Sequence, residues 1–328
     1  MGTRTITVRE ALREAMMEEM ERDPTVFLIG EEVGEYNGAY KISEGLLDRF
    51  GPRRVIDTPI AENGFAGLAV GAAMTGLRPI VEFMSFNFSL VAFDQIISNA
   101  AKMHYMSAGH FHVPMVMRGC NGAAAQVSCQ HSHCMESLYT YMPGLKVVSP
   151  SSAADHKGLL KTSIRDNDPV IFLENEILYS LPGEVPDEEF LIPLGVADIK
   201  KEGKDVTVVA HSRMVEFVKA TLPALQGMGI DIELIDPRTL KPLDVETIAR
   251  SVKKTNRLVI VEEGWRSCGL GAEIADQVYT RCFDYLDSPI IRVTSTENPL
   301  PYAKNLEAAS LPSPEKIIKA VRAAMYLD

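Results

Sequence analysis

The chain has 328 residues, of which 46% are hydrophobic and 23% are charged, and its formal net charge is −11. This length and ordinary globular composition predict two domains, and the acidic balance argues against a nucleic-acid-binding surface. No apolar run is long enough to span a membrane, and the first residues lack a signal-peptide core, so we expect neither a membrane protein nor a secreted one. We therefore expect a cytoplasmic protein, or a mitochondrial-matrix or plastid protein from which a transit peptide has been removed.

The cysteines predict free thiols rather than a disulfide framework. Their number is odd, they are scattered along the chain, and no secretory signal accompanies them. They are Cys120, Cys129, Cys134, Cys268 and Cys282. We expect these thiols to be free and buried.

Helices and strands alternate along the first half of the chain. Thr7 and Glu10 form a capping-box pattern, which predicts an amphipathic helix that begins there and ends near Asp23. Apolar runs predict strands over 26–29, 54–56, 78–83, 114–119, 146–148 and 169–173, with helices over 43–50, after residue 62, over 90–106 and over 153–165. This alternation is typical of a parallel sheet with helices on both faces.

Residues 181–193 interrupt this alternation. The segment contains three prolines and an acidic run, which predict an interdomain linker. A second series follows, with strands predicted over 206–209, 230–235, 258–261 and 290–293 and helices over about 215–225, 245–253, 272–281 and 314–325. We therefore predict an α/β fold of two domains, 1–180 and 194–328, each a mostly parallel sheet with helices on both faces.

A single carboxylate, Glu62, lies at the junction between a predicted strand and the helix that follows it. The helix contains Gly64, Gly67 and Gly71, and each glycine in a helix interior costs about 1 kcal/mol relative to alanine. Close approach to another helix or to a ligand would offset that cost. Its apolar neighbours make Glu62 a candidate for proton chemistry. The alternative is a first-turn acid favoured by the helix dipole.

Common cofactor and nucleophile motifs are absent, but two clusters indicate a ligand site. The sequence lacks a phosphate-binding loop, a complete dinucleotide fingerprint and a Gly-x-Ser-x-Gly elbow. His131 and His133 have the spacing of metal ligands on a strand, but no matching acid or cysteine pair accompanies them, so one histidine lining a polar pocket is favoured. Phe83, Phe86 and Phe88 follow a strand end, where α/β proteins bind ligands, although such aromatics also form cores.

Several motifs together resemble the beta subunits of the thiamine-diphosphate-dependent 2-oxoacid dehydrogenases. They occupy residues 30–34, 57–67, 76–80, 83–88, 130–132, 143–148 and 301–304, so that the resemblance covers nearly the whole chain. The aromatic turn at 83–88 and residues 173–176 favour the pyruvate dehydrogenase members. The alternatives are a branched-chain 2-oxoacid or acetoin dehydrogenase member and, in another class, a non-catalytic assembly subunit.

The resemblance implies a pyrimidine-binding domain, a transketolase-type C-terminal domain and an alpha2beta2 heterotetramer. The alpha subunit would hold the diphosphate and magnesium, and the Gly-Asp-Gly motif for them is absent from this chain. Glu62 would hydrogen-bond the aminopyrimidine ring of thiamine diphosphate, in a pocket lined by Ile60, Met84 and Phe88. His131 would help to pass the acetyl unit from pyruvate to lipoamide on a dihydrolipoamide acetyltransferase core.

The resemblance also implies a structural potassium ion in the first domain. The matching ligand positions are Met115, Ser163, Ile164, Asp166 and Asp168. Potassium is a hard cation, and oxygen ligands from loop carbonyls suit it.

Overall fold

The computed structural model describes residues 2–327, which form two compact units. The first unit comprises the residues up to Asn121 together with Leu138–Leu194. The second comprises Gly122–Ser137 together with the residues from Gly195 onward. The segment Gly122–Ser137 therefore belongs by its contacts to the second unit, although it lies within the first half of the sequence.

The first unit is built around a parallel sheet. Its strands are β1 (Thr3–Thr7), β2 (Val26–Gly30), β3 (Val55–Asp57), β4 (Arg78–Glu82), β5 (Val116–Cys120), β6 (Lys146–Val148), β7 (Val170–Glu174) and β8 (Pro182–Pro186). The helices of the first 194 residues are α1 (Val8–Arg22), α2 (Leu46–Phe50), α3 (Glu62–Met74), α4 (Met103–Met106), α5 (Glu136–Tyr141) and α6 (Ala153–Arg165). Strands lie in the order β6-β7-β5-β4-β2-β3, all parallel, and β1 pairs antiparallel with β8.

Helix α1 begins at the predicted capping box. The Thr7 side chain accepts a hydrogen bond from the backbone N–H of Glu10, and the Glu10 carboxylate accepts one from the N–H of Thr7. The helix packs its apolar side against α6 and the sheet, with Leu12 and Met16 fully buried. This reciprocal cap satisfies two backbone donors that a helix start otherwise leaves free.

The predicted long helix over 90–106 is wrong. The chain instead forms a 3₁₀ helix at Phe86–Leu90, a π-helical segment at Gln95–Ala100 and the short α4. The π-helical segment packs against α3, where Gly67 leaves room for the side chain of Gln95. The departure from a regular α-helix therefore coincides with contact to another helix, and π-helical turns of this kind occur within α-helices.

The second unit is built around another mostly parallel sheet. The strands of this unit are β9 (Asp198–Lys201), β10 (Val206–Ala210), β11 (Ile232–Asp236), β12 (Thr239–Lys241), β13 (Leu258–Trp265) and β14 (Ile291–Ser295), and β12 lies outside that sheet. Its helices are α7 (Arg213–Gly227), α8 (Val245–Thr255), α9 (Leu270–Cys282), α10 (Lys304–Ser310) and α11 (Pro314–Ala324). Strands lie in the order β14-β13-β10-β11-β9, and β9 is antiparallel to its neighbour. The predicted α/β fold of two domains is confirmed.

All five cysteines are free, as predicted, but they are not all buried. Cys120 and Cys282 lie in the interior, whereas Cys129, in a short 3₁₀ turn, and Cys268, in the turn before α9, are exposed. Between residues 2 and 327, the structure contains no helix that is both long and apolar enough to cross a bilayer.

Candidate active site

Two buried carboxylates meet at the carboxyl edge of the first sheet. Glu31 directly follows β2, and Glu62 begins α3 shortly after β3. Gly30 and Asp57 are partners in the parallel pairing of β2 with β3, so these two strand ends lie side by side. Each glutamate is 5% exposed, and their carboxyl groups are hydrogen-bonded to each other.

The turn after β2 is fixed by the end of the neighbouring strand. The carboxylate of Asp57 accepts hydrogen bonds from the backbone N–H groups of Gly34, at 2.6 Å, and Glu35, at 2.9 Å. Gly30 lies so close to β4 that a Cβ atom there would clash with the carbonyl oxygen of Glu82. Only glycine fits this approach, and the approach sets where the chain leaves the sheet.

The carboxyl pair holds a proton near neutral pH. Burial, followed by the negative charge of Glu62, raises the pKa of Glu31 to about 7. When Glu31 is protonated, its O–H can donate to the Glu62 carboxylate. The other oxygen, Oε1 of Glu31, is buried and has no hydrogen-bond partner among the described residues. The pair can therefore share one proton and still accept a hydrogen bond from a ligand.

The sequence identified Glu62 but not Glu31. Glu31 is followed by Glu32, which is exposed, and two acids in a loop are typical of a solvated surface. The position of Glu31 could have identified it, because it is the first residue after a parallel strand. The carboxyl ends of adjacent parallel strands lie at the same edge of a sheet.

The aromatic turn after β4 is divided between the core and the surface. Phe83 and Phe86 are fully buried, with their ring centroids 5.5 Å apart and their planes nearly perpendicular. Phe65 of α3 packs on Phe83 at a centroid distance of 5.6 Å. These rings belong to the hydrophobic core, which was one of the two interpretations of the aromatic turn in the sequence. They connect α3 with the carboxyl edge of the sheet.

The three predicted pocket residues differ in exposure. Met84 and Phe88 are half-buried in the turn after β4, whereas Ile60 is 83% exposed just before Glu62. Ile60 therefore presents an apolar surface next to a buried acid.

His131 lies in the second unit, at the end of the 3₁₀ turn Cys129–His131, and is exposed. His133 is half-buried, with its ring edge-on to Trp265 at a centroid distance of 6.1 Å. Burial, followed by the charge of His131, lowers the pKa of His133. No group of three or more His, Cys, Asp or Glu residues suited to a metal ion occurs in the described part of the chain.

The comparisons with known proteins agree with this architecture. The chain matches the family models for the transketolase pyrimidine-binding domain over residues 4–182 and the transketolase C-terminal domain over 195–317. It is 59% identical to the beta subunit of the pyruvate dehydrogenase E1 component of Rickettsia conorii, covering 98% of both chains. The chain belongs to the pyruvate dehydrogenase E1 beta-subunit family.

Members of this E1 beta family also occur in mitochondria. The mitochondrial E1 beta subunit of Bos taurus is 54% identical, and the match covers 98% of this chain and 91% of the relative. These names support the pyruvate interpretation over the branched-chain and acetoin alternatives. A solved structure described as split gene transketolase, inactive beta4 tetramer, shares the fold with a TM-score of 0.80 and 22% identity, covering 98% of this chain and 99% of that one.

Two positively charged side chains, Arg78 and Lys146, lie among the residues that the family resemblance assigns to potassium. The carbonyl oxygens of Ile164 and Asp166 both accept hydrogen bonds from Nη1 of Arg78, at 3.1 and 2.9 Å. Nζ of Lys146 lies 2.7 Å from the Asp166 carboxylate and 3.0 Å from that of Asp168. The loop after α6 therefore concentrates oxygen atoms around positive charge.

The other two predicted cation ligands make ordinary backbone contacts. The carbonyl oxygen of Ser163 accepts a hydrogen bond from Asp166 N, and that of Met115 accepts one from Val170 N. Sequence reasoning did not foresee that Arg78 occupies this loop, although Arg78 lies within the motif at 76–80.

A buried ionic cluster supports the strand edge of this E1 beta chain. Arg118 of β5 is 1% exposed and donates to both carboxylate oxygens of Glu174 at 2.6 Å, while its Nη1 bonds Glu82 of β4. The Tyr179 hydroxyl donates to Glu174 at 2.8 Å. Burial raises the pKa of Glu82, and the Arg118 charge opposes that rise.

Proposed function

We propose that this chain acts as the beta subunit of a pyruvate dehydrogenase E1 component and supplies the aminopyrimidine side of a thiamine diphosphate site. The observation that carries the proposal is the buried Glu31–Glu62 pair, which holds a proton near pH 7 and leaves Oε1 of Glu31 without a partner among the described residues. The residues of this site fit the aminopyrimidine end of thiamine diphosphate. Because the chain lacks the Gly-Asp-Gly motif, we assign the diphosphate and magnesium to an alpha subunit.

The residues of this chain would orient the cofactor and manage one proton. When bound, thiamine diphosphate supplies the electron sink for decarboxylation of a 2-oxoacid. A carboxyl oxygen of Glu62 would exchange a proton with a ring nitrogen of the aminopyrimidine. Glu31 would keep that proton available at neutral pH, and Ile60, Met84 and Phe88 would pack on the ring and exclude water.

His131 would serve the second half of the reaction. Its exposure suits a group that meets the lipoamide arm of another protein, and an imidazole can both donate and accept a proton. We assign it proton transfer to the lipoyl sulfur as the acetyl unit moves. His133 has no assigned role in this step.

The proposed partners are an alpha subunit, in an alpha2beta2 heterotetramer, and a dihydrolipoamide acetyltransferase core. The first unit exposes large apolar side chains, including Leu68 of α3, Leu90, Val91 and Tyr105. Such a set favours contact with other chains. Gly71 of α3 is exposed, and the space beside it is open, which suits close helix contact between beta chains. We propose a cytoplasmic location, or an organellar matrix as in the mitochondrial relatives.

Calorimetric titration tests the division of the cofactor site. We expect thiamine diphosphate with magnesium to bind the chain mixed with its alpha subunit and not the chain alone, because the diphosphate ligands are missing here. The mixture should then decarboxylate pyruvate faster than branched-chain 2-oxoacids. Stoichiometric binding by the isolated chain would overturn the split site, and a preference for a branched-chain substrate would overturn the choice of pyruvate.

We further propose that the loop after α6 binds potassium through Met115, Ser163, Ile164, Asp166 and Asp168. The clustering of oxygen atoms in this loop, which includes the Ile164 and Asp166 carbonyls and the Asp166 carboxylate, supports this, because each carbonyl oxygen retains a second lone pair. The thermal midpoint of the chain should rise by about 2–4 °C in potassium chloride relative to tetramethylammonium chloride of equal ionic strength. Equal midpoints would mean that Arg78 and Lys146 already pair with the oxygen atoms of the loop and that potassium does not bind there.

A further inference from the structure

The loop that carries His131 is anchored by two carboxylates of its own unit. The backbone N–H of Ala123 donates to the side chain of Glu263, and that of Gln126 donates to Oε2 of Glu307 at 3.1 Å. Both glutamates are 7% exposed. A buried carboxylate that accepts a backbone N–H makes a stronger hydrogen bond than a neutral acceptor does, so these two contacts fix the start of the loop.

Glu263 is itself held by its surroundings. It lies in β13, and Nη1 of Arg213, at the start of α7, lies 3.9 Å from its Oε2. Burial raises the pKa of Glu263, while Arg213 and the Ala123 amide oppose that rise and favour the charged form. Ala123 also packs against Leu300 and Leu311 in a small apolar cluster. The anchor therefore combines an ion pair, a backbone hydrogen bond and apolar contact.

The backbone at the second anchor and just after it is strained. Gln126 has a φ of 55° and Ser128 a φ of 67°, a region that residues with a Cβ rarely adopt. Glu307 binds the N–H of the first of these residues. The Ser132 hydroxyl donates to the carbonyl oxygen of Ser128 at 2.6 Å. Such conformations persist only where the surrounding structure holds them, and they concentrate at functional sites.

We propose that Glu263 and Glu307 are positioning residues that hold the strained loop at 123–132 and thereby present His131 for acetyl transfer. This inference rests on the proposed function of His131. The carboxylates act through the backbone of the loop, so they should affect the transfer step and leave decarboxylation, which we assign to Glu62 and the cofactor, nearly unchanged.

The test separates the two half-reactions in the enzyme assembled with its alpha subunit. Pyruvate decarboxylation is followed with an artificial oxidant, and acetyl transfer with free lipoamide. For Glu307→Ala and Glu263→Ala, we expect acetyl transfer to fall by about 10- to 100-fold, as small misplacements of reacting groups do. Decarboxylation should stay within about twofold of wild type. Glu307→Gln and Glu263→Gln keep an acceptor oxygen and should restore most of the transfer rate.

A matched control is Glu297→Ala. Glu297 also accepts a backbone N–H in the second unit, from Ser267 at 2.8 Å, but it is exposed and lies outside the loop. This variant should leave both half-reactions unchanged. Amide hydrogen exchange of the full chain gives a readout independent of activity: Gln126 N–H should exchange at least about tenfold faster in Glu307→Ala and not in Glu297→Ala.

The outcomes separate this inference from the proposed function. Unchanged exchange at Gln126, or faster exchange with unchanged acetyl transfer, would overturn the positioning role. Equal loss of both half-reactions would overturn it as well, because the effect would then be structural. If His131→Ala retains full acetyl transfer, the proposed role of His131 fails, whereas the exchange data still report whether the two carboxylates hold the loop.

Discussion

Glu62→Gln should lower the rate of pyruvate decarboxylation by the assembled enzyme by at least about 100-fold. Glutamine keeps the size of the side chain and can still hydrogen-bond, but it cannot take or release a proton. Because Glu62 is buried beside Glu31, the substitution also removes the negative charge that, after burial, raises the pKa of Glu31. The measurement is steady-state decarboxylation with saturating thiamine diphosphate and magnesium.

Glu32→Gln is the matched control for Glu62→Gln. Glu32 lies beside Glu31 in the same turn but is exposed, so its replacement should change the rate by less than about twofold. The comparison also tests the non-catalytic alternative. An assembly subunit would support full activity with either substitution, and a Glu62→Gln enzyme of normal rate would refute a catalytic role for this chain.

Glu31→Gln should change the pH dependence of decarboxylation. The folded pKa of Glu31, about 7, lies above the ordinary value of 4.5, so the stabilisation from its protonated form is fully present below about pH 4.5 and is lost as the pH rises through about 7. Above that pH the two carboxylates repel each other and the shared proton is gone. Wild-type decarboxylation should therefore decline above about pH 7, and this decline should be absent in Glu31→Gln. The same decline in both enzymes would assign the titration to another group.

The features that the sequence predicted well depend on local order or on motifs. The alternation of apolar runs with helices established two α/β domains, and the capping box located the start of α1 because its contacts involve neighbouring residues. Glu62 was identified from its isolated position in a motif. Interactions between distant segments were not foreseen. Glu31 meets Glu62 because β2 and β3 pair, and the π-helical part of the segment 90–106 packs on α3.

The loop at 122–137 shows the same limit. Its position in the sequence assigns it to the first domain, yet its contacts with Glu263 and Glu307 assign it to the second unit. No local sequence pattern predicts a hydrogen bond between residues more than a hundred positions apart. The signal that does exist is chemical, because an acid that follows the apolar run of β13 and is buried must find a partner.

Arg118→Leu should lower the free energy of unfolding by about 3–5 kcal/mol, the effect expected when one partner of a buried ion pair is removed. Arg118 is 1% exposed and binds two carboxylates, Glu82 and Glu174, so leucine would leave two buried acids without their counter-charge. These side chains lie on β4, β5 and β7 at the strand edge that carries the aromatic turn. The measurement is urea denaturation of the isolated chain.

The control is Arg49→Leu, the same substitution at a surface ion pair. Arg49 and Glu21 are 62% and 44% exposed, and such pairs contribute about 0–1 kcal/mol. Adding Glu82→Gln and Glu174→Gln to Arg118→Leu should recover part of the lost stability, because neutral amides bury at lower cost than unpaired carboxylates. If Arg118→Leu cost no more than Arg49→Leu, the cluster would have to be solvated in solution, and the strand edge that positions Glu31 and Glu62 would need another source of rigidity.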